Sequence, residues 1–455
     1  MARTAIALFT RDLRVRDNPM LAAAAAADHV LPLFVHDDAI SDLGFASPPR
    51  ARFLAGALAD LDAELRRAGA GLVVRRGRLV EQVCRLAEVT NAAEVHLSAD
   101  VSGYAQQRQA RLARELAAQG RTLRCHDEVI TVVGPGRITP TGADKDHFAV
   151  FTPYLRRWLA TPRRPITAAP RRLVLPALPA GGEQSTEPSI GPSTGPTTGP
   201  GIWSGGETEG RRRSRRWLAA QVGGYHERHD DLSGDATSRL SPYLHFGCLS
   251  PLGLATRAAG KTGPGAEAFV RQLAWRDFFH QVLAARPTAA SEDYRSRGGR
   301  WRDDEQALRA WQEGRTGIPI VDAGMRQLLA ENWMHNRARL ITGSFLTKTL
   351  RLDWREGARH FFDHLVDGDV ANNCLNWQWL AGTGNDTRPN RVLNPVRQAA
   401  RYDPDGDYVR RWVPELADLE APAIHRPWRL DAGDPRRRGY PAPILDLDTA
   451  RPRLS

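Results

Sequence analysis

Residues 4–36 read TAIALFTRDLRVRDNPMLAAAAAADHVLPLFVH. TAIALF (4–9) is an unbroken apolar run of strand length and predicts a buried strand. The loop TRDLRVRDNP ends on Asn18, a good N-cap, followed by Pro19. That pair predicts the start of a helix, because proline suits the first helical position. VLPLFVH (30–36) is then a second strand. Outward from here the alternation continues. Phe53, Leu54, Leu58, Leu61 and Leu65 recur at helical spacing within 49–68, Gly69 and Gly71 end that helix, and LVVR (72–75) follows as a strand. Helix 79–88, strand 94–98, helix 103–118 and strand 121–125 complete the set. Alternating strands and helices predict a doubly wound parallel sheet. Such sheets bind ligands at the carboxyl ends of their strands. No GxGxxG follows the first strand, which argues against an ordinary dinucleotide site there.

The alternation stops after residue 125. Residues 126–176 read as irregular, with an aromatic cluster at HFAVFTPYLRRW (147–158). Residues 177–210 are low in complexity and rich in Pro, Gly, Ser and Thr, which predicts a mobile connector. RRRSRR (211–216) reads first as a solvated charge run and second as a nucleic-acid contact. From Trp217 onward the signal is helical, with helices expected near 214–222, 251–259, 265–285, 305–312, 319–331, 335–350, 355–366 and 369–379. The expected organisation is an α/β domain over 1–130, a connector over 131–213 and a large all-α domain over 214–455.

A chain of 455 residues fits two or three domains. The net charge of +11 makes a polyanion a plausible partner. Lysine occurs only at Lys145, Lys261 and Lys348, so the basic charge is almost all Arg. Cys84, Cys125, Cys248 and Cys374 are widely spaced with no CxxC, which predicts neither metal site nor disulfide and fits a reducing cytoplasm. Met1 leads directly into a strand, so no signal peptide is expected. The apolar run at 21–27 is far short of the about 20 residues a membrane span needs.

The densest polar chemistry lies at Asp367–Trp379, DGDVANNCLNWQW. On a helix, Asp369, Asn373 and Trp377 share one face and offer an acceptor, an amide and an indole. Such a wall suits a planar, polar, aromatic ligand; it equally suits a polar helix turn beside a core Trp. Thr237, Ser238 and Ser241, beside Arg239 and Leu240, form a turn opening a helix, which suits a phosphate or a simple N-cap. His335 has no second histidine at metal spacing, so no metal is expected. Twelve tryptophans are present. Core packing explains Trp311 and Trp333, whereas Trp301, Trp354, Trp377 and Trp379 are open to packing, base stacking or electron transfer.

Taken in order, FTRDLRVRDNP, DATSRLSPYLHFG, QLAWRDFFHQ, GIPIVDAGMRQL, WMHNRARLITGSFLTK, DWREGARHFFDHLVDGDVANN and NWQWLAGTG resemble the DNA photolyase and cryptochrome family. They look most like the class I photolyases that repair cyclobutane pyrimidine dimers. The resemblance spans nearly the whole chain except the low-complexity connector. It implies an α/β antenna domain and a helical domain holding FAD in a U shape. It implies UV-damaged DNA as substrate, a monomer in the cytoplasm, and a light-driven carbon–carbon lyase that acts by electron transfer.

By position, Tyr225, Thr237, Ser238, Arg239, Leu240 and Ser241 resemble the FAD phosphate and ribityl contacts, and Arg276 another flavin-pocket residue. Asn336 matches the amide facing flavin N5. Asp367, Asp369 and Asn373 match residues along the flavin ring and adenosine, with Arg339 near Asp367. Trp275 and Trp379 match the indoles that clasp the flipped lesion, beside Gln272 and Leu340. Trp377, Trp354 and Trp301 match the relay that carries electrons from the surface. Arg50, Asp100, Tyr104 and Arg108 resemble an antenna site for 8-hydroxy-5-deazaflavin rather than methenyltetrahydrofolate.

Gln272 departs from the Glu usual in dimer photolyases, and Gln there is shared with (6-4) photolyases and animal cryptochromes. A (6-4) photolyase uses two histidines where this chain has Asn336 and Leu340, and Leu340 cannot donate a proton. A cryptochrome photoreceptor is the remaining alternative; Asn336 and a chain ending at Ser455, soon after the last motif, favour the enzyme.

Overall fold

The computed structural model describes residues 2–142, 145–178, 203–296, 298, 300–385, 390–431 and 433–446. Its sheet is made of β1 (Thr4–Phe9), β2 (His29–Asp37), β3 (Val73–Gly77), β4 (Glu94–Ser98) and β5 (Thr122–His126). All pairs are parallel and the order is β3-β2-β1-β4-β5. β1 is central and every one of its residues is buried, as an apolar run without alternation requires of a sheet covered on both faces. The connecting helices are α1 (Pro19–Ala24), α2 (Asp38–Asp42), α3 (Pro48–Arg67), α4 (Leu79–Val89) and α5 (Gly103–Ala118). Asn18 caps α1 by accepting from Leu21 N at 3.2 Å, with Pro19 in the first turn. Ile6, Leu8, Leu31, Leu33, Val83, Leu97, Leu112 and Leu116 form one core from strands and helices together. Gly69, at φ +104°, ends α3 where a Cβ would lie 2.7 Å from the Leu173 carbonyl.

The rest of the chain is helical: α6 (Phe151–Ala160), α7 (Glu207–Ala220), α8 (Tyr225–Arg228), α9 (Ser241–His245), α10 (Pro251–Ala259), α11 (Pro264–Ala285) and α12 (Glu305–Gln312). Then come α13 (Pro319–Glu331), α14 (Asn336–Ser344), α15 (Trp354–His364), α16 (Val370–Ala381), α17 (Pro395–Tyr402) and α18 (Asp407–Trp412). The α/β and all-α parts expected from the sequence are both present.

Three expectations change. Residues 151–160, expected to be irregular, form α6, because Phe151, Tyr154 and Trp158 recur at helical spacing and all three are buried. Most of the expected connector, 179–202, lies outside the described residues. Its end, 203–210, is packed rather than mobile. Thr208 N donates to Asp60 Oδ2 at 3.0 Å, Tyr243 OH donates to the Ser204 carbonyl at 2.9 Å, and Gly205 sits where any Cβ would strike the backbone of Phe53 and Ala57. Finally, the helix expected at 335–350 widens after Ser344 into a π-helical segment, Phe345–Leu350, ended by Arg351 at φ +61°.

The chain divides into two compact units. The first joins Trp203–Gly223 and Ser238–Pro287 to the sheet and its helices. Asp277 of α11 shows why: it accepts from Val132 N (2.8 Å), Val133 N (3.0 Å) and Trp158 Nε1 (2.9 Å). The second unit holds Gly224–Thr237 and the chain from Thr288 onward. Its core includes Trp311, Met325, Leu328, Ile341, Phe345, Trp354, Phe361, Trp377 and Val409. Asp322 ties this core together by accepting from Thr316 N, Thr316 Oγ1, Gly317 N and Tyr440 OH at 2.8, 2.6, 3.0 and 2.5 Å.

Candidate functional site

In the second unit the candidate site is built on α16. Asp369 starts the helix: its carboxylate accepts from Asn372 N at 2.8 Å and from Asn372 Nδ2 at 2.7 Å. This cap also lies beside the positive end of the helix dipole. Asp367, two residues earlier, is buried and pairs with Arg339 Nη2 at 3.1 and 2.9 Å, while Arg339 Nε donates to the Met334 carbonyl at 2.9 Å. Asn373 Nδ2 donates to the Ala358 carbonyl at 3.0 Å, joining α16 to α15. Asn336 opens α14 with its amide exposed, directly after His335, whose Nδ1 accepts from Arg337 N at 3.1 Å. Arg337 reaches Asp230 at 2.5 Å and lies 4.3 Å from the Tyr402 ring centre. The Thr237 hydroxyl is buried with no hydrogen-bond partner among the described residues. Burial pushes the Tyr225 phenol well above its usual range, and Leu340 is half-buried.

The tryptophans of this unit differ in surroundings. Trp377 is buried, edge-on to Phe361 (4.9 Å, 74°) and to Trp311 (5.9 Å, 75°). Its six-membered ring occupies the space that a Cβ on Gly357 of α15 would need. Trp354, at the start of α15, is fully buried, and its Nε1 donates to Asp293 Oδ1 at 2.9 Å. Trp301 is partly buried against the same core. Trp379 is half-buried, with the Arg391 guanidinium 5.4 Å from its ring centre.

Sequence reasoning missed Gln378, which stands between the two indoles of α16 and is fully buried. Its Oε1 accepts from Tyr294 N at 2.7 Å, and its Nε2 donates to the carbonyls of Ala289 (2.7 Å) and Glu292 (2.9 Å). The only signal was a polar side chain inside NWQW on what proves to be an apolar face.

In the first unit, Trp275 of α11 stacks on Phe151 with ring centres 3.6 Å apart and planes within 9°. Arg271 lies 5.5 Å from the centre of the Phe151 ring. One face of Trp275 is therefore already covered by Phe151, a residue seen in the aromatic cluster but given no role. Gln272, one turn earlier, is exposed. Arg276 Nη1 donates to the Ile130 carbonyl at 2.5 Å, and Arg276 lies 3.8 Å from Asp277. Burial pushes Asp277 up to about 6 despite its three donors and that arginine. Ser238 and Arg239 precede α9, with Arg239 in the left-handed region at φ +48°; Leu240 is buried and Ser241 is the first residue of the helix.

At the carboxyl edge of the sheet, Tyr104 and Arg108 of α5 converge on Asp37, the last residue of β2. The Tyr104 hydroxyl donates to Asp37, and Arg108 Nη1 lies 3.7 Å from the same carboxylate. Burial, then the Asp37 contact, pushes the Tyr104 phenol up to about 12. Arg108 Nε is buried without a partner among the described residues. Asp100 pairs with Arg11 at 3.2 Å, and Arg50 donates to the Phe45 carbonyl at 2.6 Å. Tyr104 and Arg108 thus come together around Asp37, which sequence reasoning missed, although an acid closing a buried strand was visible in VHDD. Among the described residues no group of three or more His, Cys, Asp or Glu could hold a metal ion, and no helix is long and apolar enough to cross a membrane.

Two family models match the chain: DNA photolyase over residues 5–172, and the FAD binding domain of DNA photolyase over residues 269–455. A deoxyribodipyrimidine photo-lyase of Streptomyces griseus is 56% identical over 451 residues, covering 99% of this chain and 98% of the relative. A bacterial class III photolyase from Agrobacterium tumefaciens superposes with a TM-score of 0.89 at 31% identity, covering 99% and 95% of the two chains. A cryptochrome from Synechocystis superposes with a TM-score of 0.90 at 28% identity, covering 98% and 97%. With an α/β unit at its start, a helical unit carrying Asp367–Trp379, and identity to a photo-lyase along nearly its full length, the chain belongs to the DNA photolyase and cryptochrome family.

Proposed function

We infer that the chain is a deoxyribodipyrimidine photo-lyase that repairs cyclobutane pyrimidine dimers in DNA with FAD. The observation that carries this reading is α16, which carries a buried Trp377 and a partly exposed Trp379 two residues apart behind an aspartate cap. The residues present fit FAD. The unpaired Thr237 hydroxyl and the exposed Asn336 amide are free to meet polar groups, and Asp367, Asp369 and Arg339 offer acceptors and a cation. FAD, when bound, supplies the light-driven one-electron chemistry.

The chain's own residues bind, orient and shield. Tyr225, Thr237, Ser238, Arg239, Leu240, Ser241 and Arg276 are the residues that would hold the phosphate and ribityl portion. Arg339, Asp367, Asp369 and Asn373 would line the flavin ring and adenosine, and Asn336 would present its amide to the flavin. Trp275 and Trp379 stack on the flipped-out dimer, with Gln272 and Leu340 beside it. A damaged, poorly stacked base pair costs least to extrude, and each aromatic contact returns about 1–3 kcal/mol. Trp377, Trp354 and Trp301 relay electrons from the surface. No side-chain nucleophile takes part.

Leu340 disfavours the (6-4) reading, since an apolar side chain cannot serve as proton donor. The antenna site is assigned to 8-hydroxy-5-deazaflavin, with Arg50, Asp100, Tyr104 and Arg108 around it. The Asp37 cluster supports a ligand there, because Arg108 keeps a buried donor to spare. The absorption spectrum of protein purified from its native host distinguishes the deazaflavin from a folate.

The test of the main reading is blue-light repair of a thymine-dimer oligonucleotide by FAD-loaded protein. Recovery of thymine absorbance is the expected outcome, with no repair of a (6-4) lesion. Intact, reduced FAD with no recovery would make the chain a photoreceptor instead.

A further inference from the structure

Trp354 is fully buried, yet its indole N–H does not meet a neutral carbonyl. It meets a carboxylate, Asp293 Oδ1, at 2.9 Å. The same oxygen accepts from Arg355 Nη2 at 3.0 Å. Arg355 in turn lies 4.7 Å from the Trp354 ring centre and donates through Nη1 to Asp353 Oδ1 at 3.1 Å. One acid meets this indole directly and Arg355 links it to a second, Asp353, so these three side chains together carry a charge of −1. Asp293 is not loosely held. Gln378 of α16 binds the backbone of Ala289, Glu292 and Tyr294 on either side of it, and Arg355 Nε donates to the Ser291 carbonyl at 2.6 Å. For packing alone, a neutral acceptor would serve the indole N–H equally well at lower desolvation cost.

We propose that Asp293 sets the redox balance of the tryptophan relay, acting as a positioning residue that stabilises the oxidised form of Trp354. This rests on the reading that Trp377, Trp354 and Trp301 form that relay. The electron count is simple. Trp377 loses one electron to the light-excited oxidised flavin, Trp354 refills Trp377 and is left one electron short, and Trp301 refills Trp354. An external thiol finally restores the surface indole. The proton on Trp354 Nε1 stays on the nitrogen throughout, hydrogen-bonded to Asp293. While Trp354 carries the positive charge, that bond joins a cation to an anion at 2.9 Å. Such charge-assisted bonds are roughly twice as strong as neutral ones. The hole is thereby drawn outward from Trp377 to Trp354. Arg355 opposes this through its charge near the ring, so the two residues set the level between them. Gln378 has a part too: the residue between Trp377 and Trp379 holds in place the segment that bears Asp293.

The experiment is flash photolysis of oxidised holoenzyme in a Trp301→Phe background, where the hole stops at Trp354. Asp293→Asn keeps an acceptor oxygen and removes the charge. It is expected to shorten the life of the charge-separated state by about tenfold, the scale of replacing a charged acceptor by a neutral one. Asp293→Glu should restore the lifetime. Arg355→Gln should lengthen it, an opposite shift that a merely structural role would not produce and a readout that remains if Asp293→Asn fails to fold. Unchanged lifetimes in Asp293→Asn, or equal shortening in both charge variants, overturn the proposal. Trp354→Phe separates this outcome from failure of the relay itself: if it leaves flavin photoreduction intact, the relay reading is wrong, whereas if it abolishes photoreduction, the Asp293 variants decide.

Discussion

Trp377 and Trp379 show how much two positions matter on a helix. A step of two residues turns the side chain about 200°, so neighbours in NWQW face opposite ways. Trp377 is enclosed by Phe361, Trp311 and the bare Gly357, whereas Trp379 stays partly exposed beside Arg391. An indole with an open face can stack on a base; an enclosed one can only pack or pass charge. Trp379→Ala is therefore expected to weaken binding of a dimer-containing oligonucleotide by about 1–3 kcal/mol. Fluorescence anisotropy should show a much smaller change for undamaged DNA of the same length. Both tryptophans were conspicuous in the sequence through the family resemblance. Their burial was not, because 369–379 is apolar on more than one side. Asp293 gave no signal at all: one of two adjacent acids in ASEDYR, it acquires meaning only when Trp354, 61 positions later, donates to it.

At the scale of elements, the joint between α15 and α16 carries the candidate site. Gly357 lets the ring of Trp377 press onto α15, and Asn373 ties the two helices at the Ala358 carbonyl. Lys348, in the π-helical segment, donates to the Ala381 carbonyl at 2.8 Å and so holds the carboxyl end of α16, where a cation is favoured by the helix dipole. Gly357→Ala would drive a methyl into Trp377 and Leu346. Overpacking of this kind costs about 1–3 kcal/mol. Thermal unfolding is expected at a lower midpoint, together with altered Trp377 fluorescence. Most element boundaries were legible because caps are local chemistry: Asn18, Ser102, Asp304 and Asp369 each accept from a backbone N–H of the first turn. α6 was missed for an equally local reason. Val150 offers no side-chain cap, and the aromatics Phe151, Tyr154 and Trp158 read as a cluster rather than a stripe.

For the whole molecule, the net charge of +11 is the property that any duplex meets first. Each phosphate neutralised releases counterions, so affinity falls with salt. Raising salt fourfold, from about 50 to about 200 mM, is expected to weaken binding to damaged and undamaged duplex alike by roughly tenfold or more. A preference for the lesion that comes from the stacking proposed for Trp275 and Trp379 should change far less. A titration at several salt concentrations separates the two. By itself the sequence determined the parallel sheet, the helical remainder, the family motifs and the cationic balance. These rest on short periodicities, caps and composition, which neighbouring residues specify without help from the fold. Only the tertiary structure decided that Asp277 gathers Val132, Val133 and Trp158, that Phe151 covers Trp275, that Asp37 draws in Tyr104 and Arg108, and that Asp293 faces Trp354. Each of these is a buried polar or aromatic group meeting a partner tens to more than a hundred positions away. Burial sets the requirement that such a group be satisfied, but the sequence does not say by whom, because the partner is chosen by how the elements pack.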